Sequence, residues 1–391
     1  MTNDKQVRIL ANATASRVIR HELTRRGFIG ATVAAGAAGL LAACTPTGGP
    51  ATAPGATGGP LESGLSIYTW GDYDDPALLE QFTSDNGPQI TLDSFNSNEE
   101  MISKLIAAKG TSGYDIVVPT GVYLPQMIQN DLLTELNLDL IPNLQHMDSA
   151  FLNQVWDPGN KYSICKAWGT TGFVYDNTVI SRDLQTWDDF IDAAQNEASG
   201  KTSVLDDPTG LVGIYFWSKG IDWTTSDPAQ LDEAEDFLVN TLAKHVAAFD
   251  SYPGGAAIPQ ASHVLMQSWN GDARIGIMES EDPDRWEWRL GAPDTELWMD
   301  NWCIAKGAPN PEAAHAFINF VLDPEVQLVN LDYIGYHTGA TGIEEAASDM
   351  DMLDLVFFDA AQVATMHPWQ IGESQQRVVD IWNAMRAAAG A

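Results

Sequence analysis

Hydrophobic side chains recur along this chain with two different periods, and the switches between them mark its elements. "LSIYTW" (65–70) and "QITLDSF" (89–95) carry the apolar, β-branched composition of strands. "YDIVVP" (114–119) is a short apolar run of the kind that fills the centre of a sheet. Two helical stretches separate them. In "DDPALLEQFTSDNG" Asp75 suits the N-cap, Pro76 the first helical position and Gly87 the C-terminal stop, and "NEEMISKLIAAKG" follows as the second helix. Strand, helix, strand, helix, strand predicts parallel pairing with right-handed crossovers. Ligands on such sheets gather at the carboxyl ends of the strands, which puts the loops "WGDY" (70–73) and "PTGVY" (119–123) on one rim.

A second αβ region runs from about 170 to 297. It holds a helix after Thr186 and a long amphipathic helix predicted through "DPAQLDEAEDFLVNTLAKHVAAF". "NPEAAHAFINFVLDPEVQLV" reads as two helices, capped by Asn310 with Pro311 and by Asp323 with Pro324. "LWMDNW" (297–302) has the look of a strand. Alternation then turns Trp298, Asp300 and Trp302 to one face and Leu297, Met299 and Asn301 to the other. A carboxylate between two indoles is either an acid reaching past a sheet edge or a site for a cation.

Charge changes the picture more than length does. The 391 residues suffice for two to three domains, and 45% hydrophobic content supports packed cores. Only 20 Lys and Arg face 53 Asp and Glu, a formal charge of -33, which excludes nucleic acid as a natural partner. Such a field draws cations and also occurs as adaptation to salt.

The first 44 residues read as processing signals. "TRRGFIG" is a twin-arginine export signature, the run "ATVAAGAAGLLAA" is too short and small-residue-rich for a spanning helix, and "LAAC" resembles a lipobox. Cys44 would then be the lipidated N-terminus, and removal of residues 1–43 would take the charge from -33 a further four units down to -37. Residues 45–64, rich in Gly, Pro, Ala and Thr, are expected to form a flexible tether. Cys165 and Cys303 remain, and a disulfide and two buried thiols are equally open.

Signatures of catalysis are hard to find. Histidines 146, 245, 263, 315, 337 and 367 are isolated, without HExxH or i, i+4 pairs, and no GxSxG elbow is present. "SGKT" (199–202) lacks the first glycine of a phosphate loop, Gln195 standing there, and reads as a turn. We expect no metal, no cofactor and no enzyme activity.

What recurs is tryptophan beside acid. Trp70 and Tyr73 flank Asp72, "WNGD" joins Trp269 to Asp272, and "LWMD" joins Trp298 to Asp300; "IGY" adds Tyr336, and "PWQ" adds Trp369 and Gln370. Most tryptophans are core residues, but five such segments favour another reading. Aromatic faces attract cations and carboxylates bond ammonium donors, a combination suited to an alkyl ammonium.

At these residues the chain resembles the spermidine/putrescine-binding proteins, extracytoplasmic receptors of ABC-type polyamine importers. The resemblance spans nearly the whole body and is most specific in "YDIVVPT", "YSICKAWGTTGFVYD", "WMDNWCIAKGAPNPEAAHAFINFVLDPEVQ", "IGY" and "WQ". It implies an α/β, two-lobed periplasmic-binding-protein-like fold of type II, each lobe a mixed sheet flanked by helices, with hinge strands between. On that pattern residues 65–170 plus 300–345 make one lobe and 171–299 plus 346–391 the other. The implied ligand contacts are Trp70, Tyr73 and Thr120 from the first lobe, Asp207 and Trp269 from the second, and Trp298, Asp300, Tyr336 and Gln370. Putrescine-type members also carry acids where Asp72 and Asp272 stand. The implied partners are a small polyamine and the permease subunits of an importer, for a lipid-anchored monomer.

Three positions depart from the family. Spermidine binders have a glutamate where this chain has Gly210, a tyrosine where it has Val122, and a smaller apolar residue where it has Trp302, which is expected to pack. A receptor for another small ligand, such as an amino-acid derivative or a sugar, and an exported enzyme are the competing readings. A basic residue facing Asp207 and Asp300 would favour the first of these.

Overall fold

The computed structural model describes residues 55–391; the twin-arginine segment, the apolar run and Cys44 lie outside them. β1 (Gly64–Trp70) pairs in parallel with β2 (Gln89–Phe95) on one side and with β3 (Ile116–Val117) on the other. The helices between them start and stop as their caps dictate. α1 (Pro76–Asn86) opens with the Asp75 carboxylate accepting the Ala77 N–H at 2.8 Å and closes on Gly87 at φ 102°. α2 (Asn98–Ala108) opens on Ser97, whose hydroxyl accepts the Glu100 N–H. α3 (Leu124–Gln129) and β4 (Leu133–Thr134) complete this half.

Two long strands then cross the molecule. β5 (Ser163–Asp176) is buried along its whole length, as expected of a strand covered on both faces. β10 (Thr295–Ala305) runs antiparallel beside it, pairing with β3 and β4 at its far end and with β5 between. Beyond them the sheet continues through β8 (Leu265–Trp269), β6 (Thr202–Leu205) and β7 (Val246–Asp250). The order is β2-β1-β3-β10-β5-β8-β6-β7, with β9 (Trp286–Arg289) on β5 and β11 (Met366–His367) on β10.

Separate cores form on either side of the crossing. β1 shows why: Leu65 and Ile67 join one cluster, with Phe82 of α1 and Phe317 of α8 (Pro311–Val321), while Tyr68 joins another on the opposite face with Leu105 and Leu124. The second half packs α4 (Trp187–Gln195), α5 (Pro208–Lys219) and α6 (Pro228–Asn240) with the C-terminal α10 (Gln375–Ala389) around Trp187, Phe190 and Trp217. α7 (Asn270–Met278) and α9 (Pro324–Ile334) lie near the crossing.

Three expectations need correction, and one open alternative is decided. The predicted long amphipathic helix ends at Asn240; Leu242–His245 is a single 3₁₀ turn and Val246–Asp250 is β7, because pairing with β6 outweighs the helical period. Asn310 makes no cap bond, since its side-chain amide donates to Asp115 at 2.9 Å. The Glu62 carboxylate accepts the α8 amides of Glu312 and Ala313 instead. The far part of the expected 45–64 tether is fixed to the body: Glu312 accepts the amides of Thr57 and Gly58 at 2.6 and 3.1 Å, and Ala56 is buried. Lastly, Cys165 and Cys303 are free thiols in different cores, one on each face of the sheet.

Candidate functional site

Where the two halves face each other lies a cleft of about 290 Å³. Its first wall follows from the parallel sheet: β1 ends at Trp70 and β3 leads to Thr120, so both strand ends open on one rim. Trp70 is held by an indole N–H bond to the Val118 carbonyl at 3.1 Å and tilts against Phe95. Asp72 follows in a left-handed turn at φ 50°, exposed at the mouth, and Tyr73 turns back into the wall.

The opposite wall comes from helix starts. Asp207 is the N-cap of α5; its carboxylate accepts the Gly210 N–H at 2.6 Å and the Thr209 hydroxyl at 2.8 Å. Trp269 ends β8, and Asp272 sits in the first turn of α7. The crossing strand forms the floor. Glu296, Trp298 and Asp300 lie two residues apart on β10 and all line the cleft. Trp298 stands edge-on to Tyr336 at 4.8 Å, and this is where glycine is needed: a Cβ on Gly169 would come within 2.6 Å of the Trp298 ring, and one on Gly271 within 2.5 Å of Tyr336.

The acids are poised by burial. Asp300 is pushed up to about 6, although the Thr120 hydroxyl bonds its carboxylate at 2.7 Å and the Lys166 charge also favours ionisation. Burial lifts Asp272 well above the usual carboxylate range, and the nearby Asp250 charge adds to the shift. Asp207 rises by burial against its two hydrogen bonds, with Glu99 adding like charge. Glu296 is pushed up to about 8, first by burial and then by Asp207. Among the described residues, the buried hydroxyl of Tyr73 and the buried indole N–H of Trp298 have no hydrogen-bond partner.

Of the sequence-predicted set, Trp70, Asp72, Tyr73, Thr120, Asp207, Trp269, Asp272, Trp298, Asp300 and Tyr336 meet around this one cleft. Gln370 does not. It is exposed, and its neighbour Trp369 turns inward instead, stacked edge-on to Trp223 at 5.1 Å with its indole N–H on Gln375. Trp302 packs against Phe317 below the cleft. Lys166, the basic residue nearest Asp300, is fully buried there, bonded to Asp74 at 2.7 Å and covered by the rings of Tyr73 and Trp302. It is no lining residue and offers no charge to a ligand. Sequence reasoning missed Glu296, Tyr252 and Tyr333. Alternation back from Asp300 through Trp298 points to Glu296; for Tyr252, in a loop after β7, no local signal exists.

A cleft between two α/β halves joined by crossing strands, walled by rings and acids from both, defines a solute-binding protein. The model of the bacterial extracellular solute-binding protein family matches residues 77–353. A spermidine/putrescine-binding periplasmic protein of Haemophilus influenzae is 29% identical over 325 residues, 82% of this chain and 88% of that protein. A putrescine/agmatine-binding protein of Pseudomonas aeruginosa is 28% identical over 291 residues, 71% and 78% of the two chains. The crystal structure of the spermidine/putrescine ABC transporter substrate-binding protein PotD of Streptococcus pneumoniae, with calcium and HEPES, superposes with a TM-score of 0.68 at 30% identity, covering 84% of this chain and all of that one. The chain belongs to the bacterial extracellular solute-binding proteins and, within them, to the spermidine/putrescine-binding family, with its type II periplasmic-binding fold. These are binding subunits of ABC importers, not enzymes.

Proposed function

We propose that this protein captures a polyamine cation in its cleft and delivers it to the permease of an ABC importer. The carrying observation is the floor of the cleft: a buried carboxylate, Asp300, set between Thr120 and the Trp298–Tyr336 pair. Carboxylates bond the ammonium donors while rings cover the methylenes, and a neutral sugar would leave these acids without counter-charge. Micromolar capture needs about -8 kcal/mol, within reach of a few charge-assisted bonds and two or three stacked rings.

Delivery requires a state the permease can read. The lobes are 65–170 plus 300–345 and 171–299 plus 346–391, with β5 and β10 as the hinge, an assignment supported by the separate cores. Contacts from both lobes to one cation favour closure, because a ligand shifts such an equilibrium only by its differential affinity for the closed form. Export by the twin-arginine route and lipidation at Cys44 complete the proposal, with the folded body a monomer carried on the segment after Cys44.

The test is a thermal-shift screen with titration calorimetry, using putrescine, spermidine, amino acids and sugars. Polyamines are expected to raise the melting temperature and to titrate at one site. A response confined to amino acids or sugars would overturn the reading.

A further inference from the structure

Glu296 is not among the contacts that the family resemblance implies, yet it is one of the most enclosed acids of the cleft. It lies on β10 two residues before Trp298 and four before Asp300, so the pleat turns it to the same side. Its residue is 8% exposed. One carboxylate oxygen, Oε2, accepts the Thr171 hydroxyl at 2.8 Å, and its backbone carbonyl accepts the Thr170 hydroxyl at 2.6 Å. The other oxygen, Oε1, receives no hydrogen bond from the described residues, while the carboxylate lines the cleft. A buried acid held by one oxygen and open through the other is built to receive a donor.

Its neighbours give it a position. Asp207 and Asp300 are the charges that act on Glu296, whereas Asp272 acts on Tyr336, which Asp300 also reaches. Geometry spreads these acids along the cleft: Asp300 lies beside Thr120, Glu296 lies four residues back on the same strand, and the Tyr336 hydroxyl accepts the Asp272 N–H at 3.3 Å while its ring meets Trp298. Tyr73, 8% exposed, brings an unpartnered hydroxyl to the same wall. A diamine has two ammonium groups and can answer the acids of only part of this row. The Asp207–Glu296 pair would then stay buried with like charges and no counter-ion, a costly arrangement unless it keeps its proton.

We infer that Glu296 is a specificity-determining residue, pairing with Asp207 to hold one terminal ammonium of a linear triamine, so that the cleft prefers a triamine to a diamine. The inference rests on the polyamine reading. It has a signature that packing alone would not produce. Burial and Asp207 keep the Glu296 carboxyl protonated at neutral pH in the empty cleft. When an ammonium arrives the O–H proton leaves to solvent and the carboxylate accepts an N–H from the ligand. Triamine binding thus releases a proton that diamine binding leaves in place.

The experiment is titration calorimetry of spermidine and putrescine at pH 7 in two buffers of different ionisation enthalpy, on the wild type, Glu296→Gln and Glu296→Asp. The wild type is expected to bind spermidine at least about tenfold more tightly, a preference equivalent to one charge-assisted bond. It should also release more protons with spermidine than with putrescine. Glu296→Gln should bring the affinity ratio towards one and abolish the extra proton, and Glu296→Asp should restore part of both. Equal proton release for the two amines in the wild type overturns the role of Glu296 without needing any variant. So does an unchanged ratio in Glu296→Gln, and in both cases the polyamine reading stands. Failure of the wild type to bind either amine overturns that reading together with the inference.

Discussion

Asp300 and Glu296 stand four residues apart on one strand and illustrate how burial sets the chemistry of single residues here. Asp300 accepts a bond from Thr120, and the positive neighbour that acts on it, Lys166, is already paired with Asp74. Asp300→Asn keeps the shape and removes the charge, so a bound ammonium loses its counter-ion. We expect polyamine binding to weaken by about 2–4 kcal/mol, roughly 30- to 1000-fold, as for one partner lost from a buried charge pair. Titration calorimetry showing wild-type affinity in this variant would remove Asp300 from the site. Because its pKa is about 6, the same binding should also weaken as pH falls through 6, where an ammonium must displace a proton. Glu296 makes a stability prediction. Its folded-state pKa of about 8 lies above the ordinary 4.5, so the folded state binds more protons than the unfolded one between those values. That contribution to stability is intact below pH 4.5 and is lost as pH rises towards 8. Glu296→Gln escapes the loss. In urea unfolding of the ligand-free protein, the variant should gain on the wild type from pH 5 to pH 8, on the order of 1–3 kcal/mol. A gap that stays constant with pH would show that Glu296 ionises normally.

Elements place these residues, and they differ in how far local sequence defines them. The β1–α1–β2–α2–β3 run is readable because its signals are short-range: Asp75 and Ser97 as caps, Gly87 as a stop, and apolar runs for strands. The rim at Trp70 and Thr120 follows from that run alone. The end of α6 is not readable, since the helical period continues past Asn240 and only pairing with β6, some forty residues earlier, draws Val246–Asp250 into a strand. Nor is the inward turn of Trp369 in place of Gln370, which depends on the Trp223 ring and on Gln375. Glu296 was within reach of alternation but had nothing to distinguish it in a chain with 53 acids. The pairing of β5 with β10 joins residues more than a hundred positions apart, and it explains Gly169, directly opposite Trp298. There the indole lies across a backbone that can carry no side chain, a Cβ meeting Trp298 at 2.6 Å and the Asn270 amide oxygen at 2.4 Å. Gly169→Ala should therefore push the ring off the cleft floor. We expect polyamine affinity to fall at least about tenfold, with a stability loss of about 1–3 kcal/mol for overpacking. Quenching of tryptophan fluorescence by acrylamide should report a more accessible indole, and unchanged affinity and quenching would show that the strand yields elsewhere.

At the scale of the whole molecule, one hydrogen-bond chain links the two halves beside the cleft. Glu99, in the first turn of α2, accepts the Tyr123 hydroxyl at 2.8 Å and the side-chain amide of Gln375 at 3.2 Å. Gln375 opens α10, packed in the opposite half, and its carbonyl oxygen holds the indole N–H of Trp369 at 2.8 Å. Trp369 and Tyr123 both line the cleft. This contact exists only while the halves are together, so on the proposed hinge motion it belongs to the closed form and contributes to its population. Gln375→Glu sets a second carboxylate against Glu99 and turns an attraction into a repulsion. If the ligand-free closed population falls by a given factor, apparent affinity falls by the same factor for every ligand that binds the closed form. Putrescine and spermidine should therefore weaken together, by roughly tenfold for a change of about 1.4 kcal/mol, with their ratio preserved. Small-angle scattering should show a larger ligand-free radius of gyration than in the wild type and the same compact value once either amine saturates the cleft. A changed ratio would place Gln375 in direct contact with ligand, and an unchanged radius with unchanged affinity would show that the Glu99 contact does not hold the halves together.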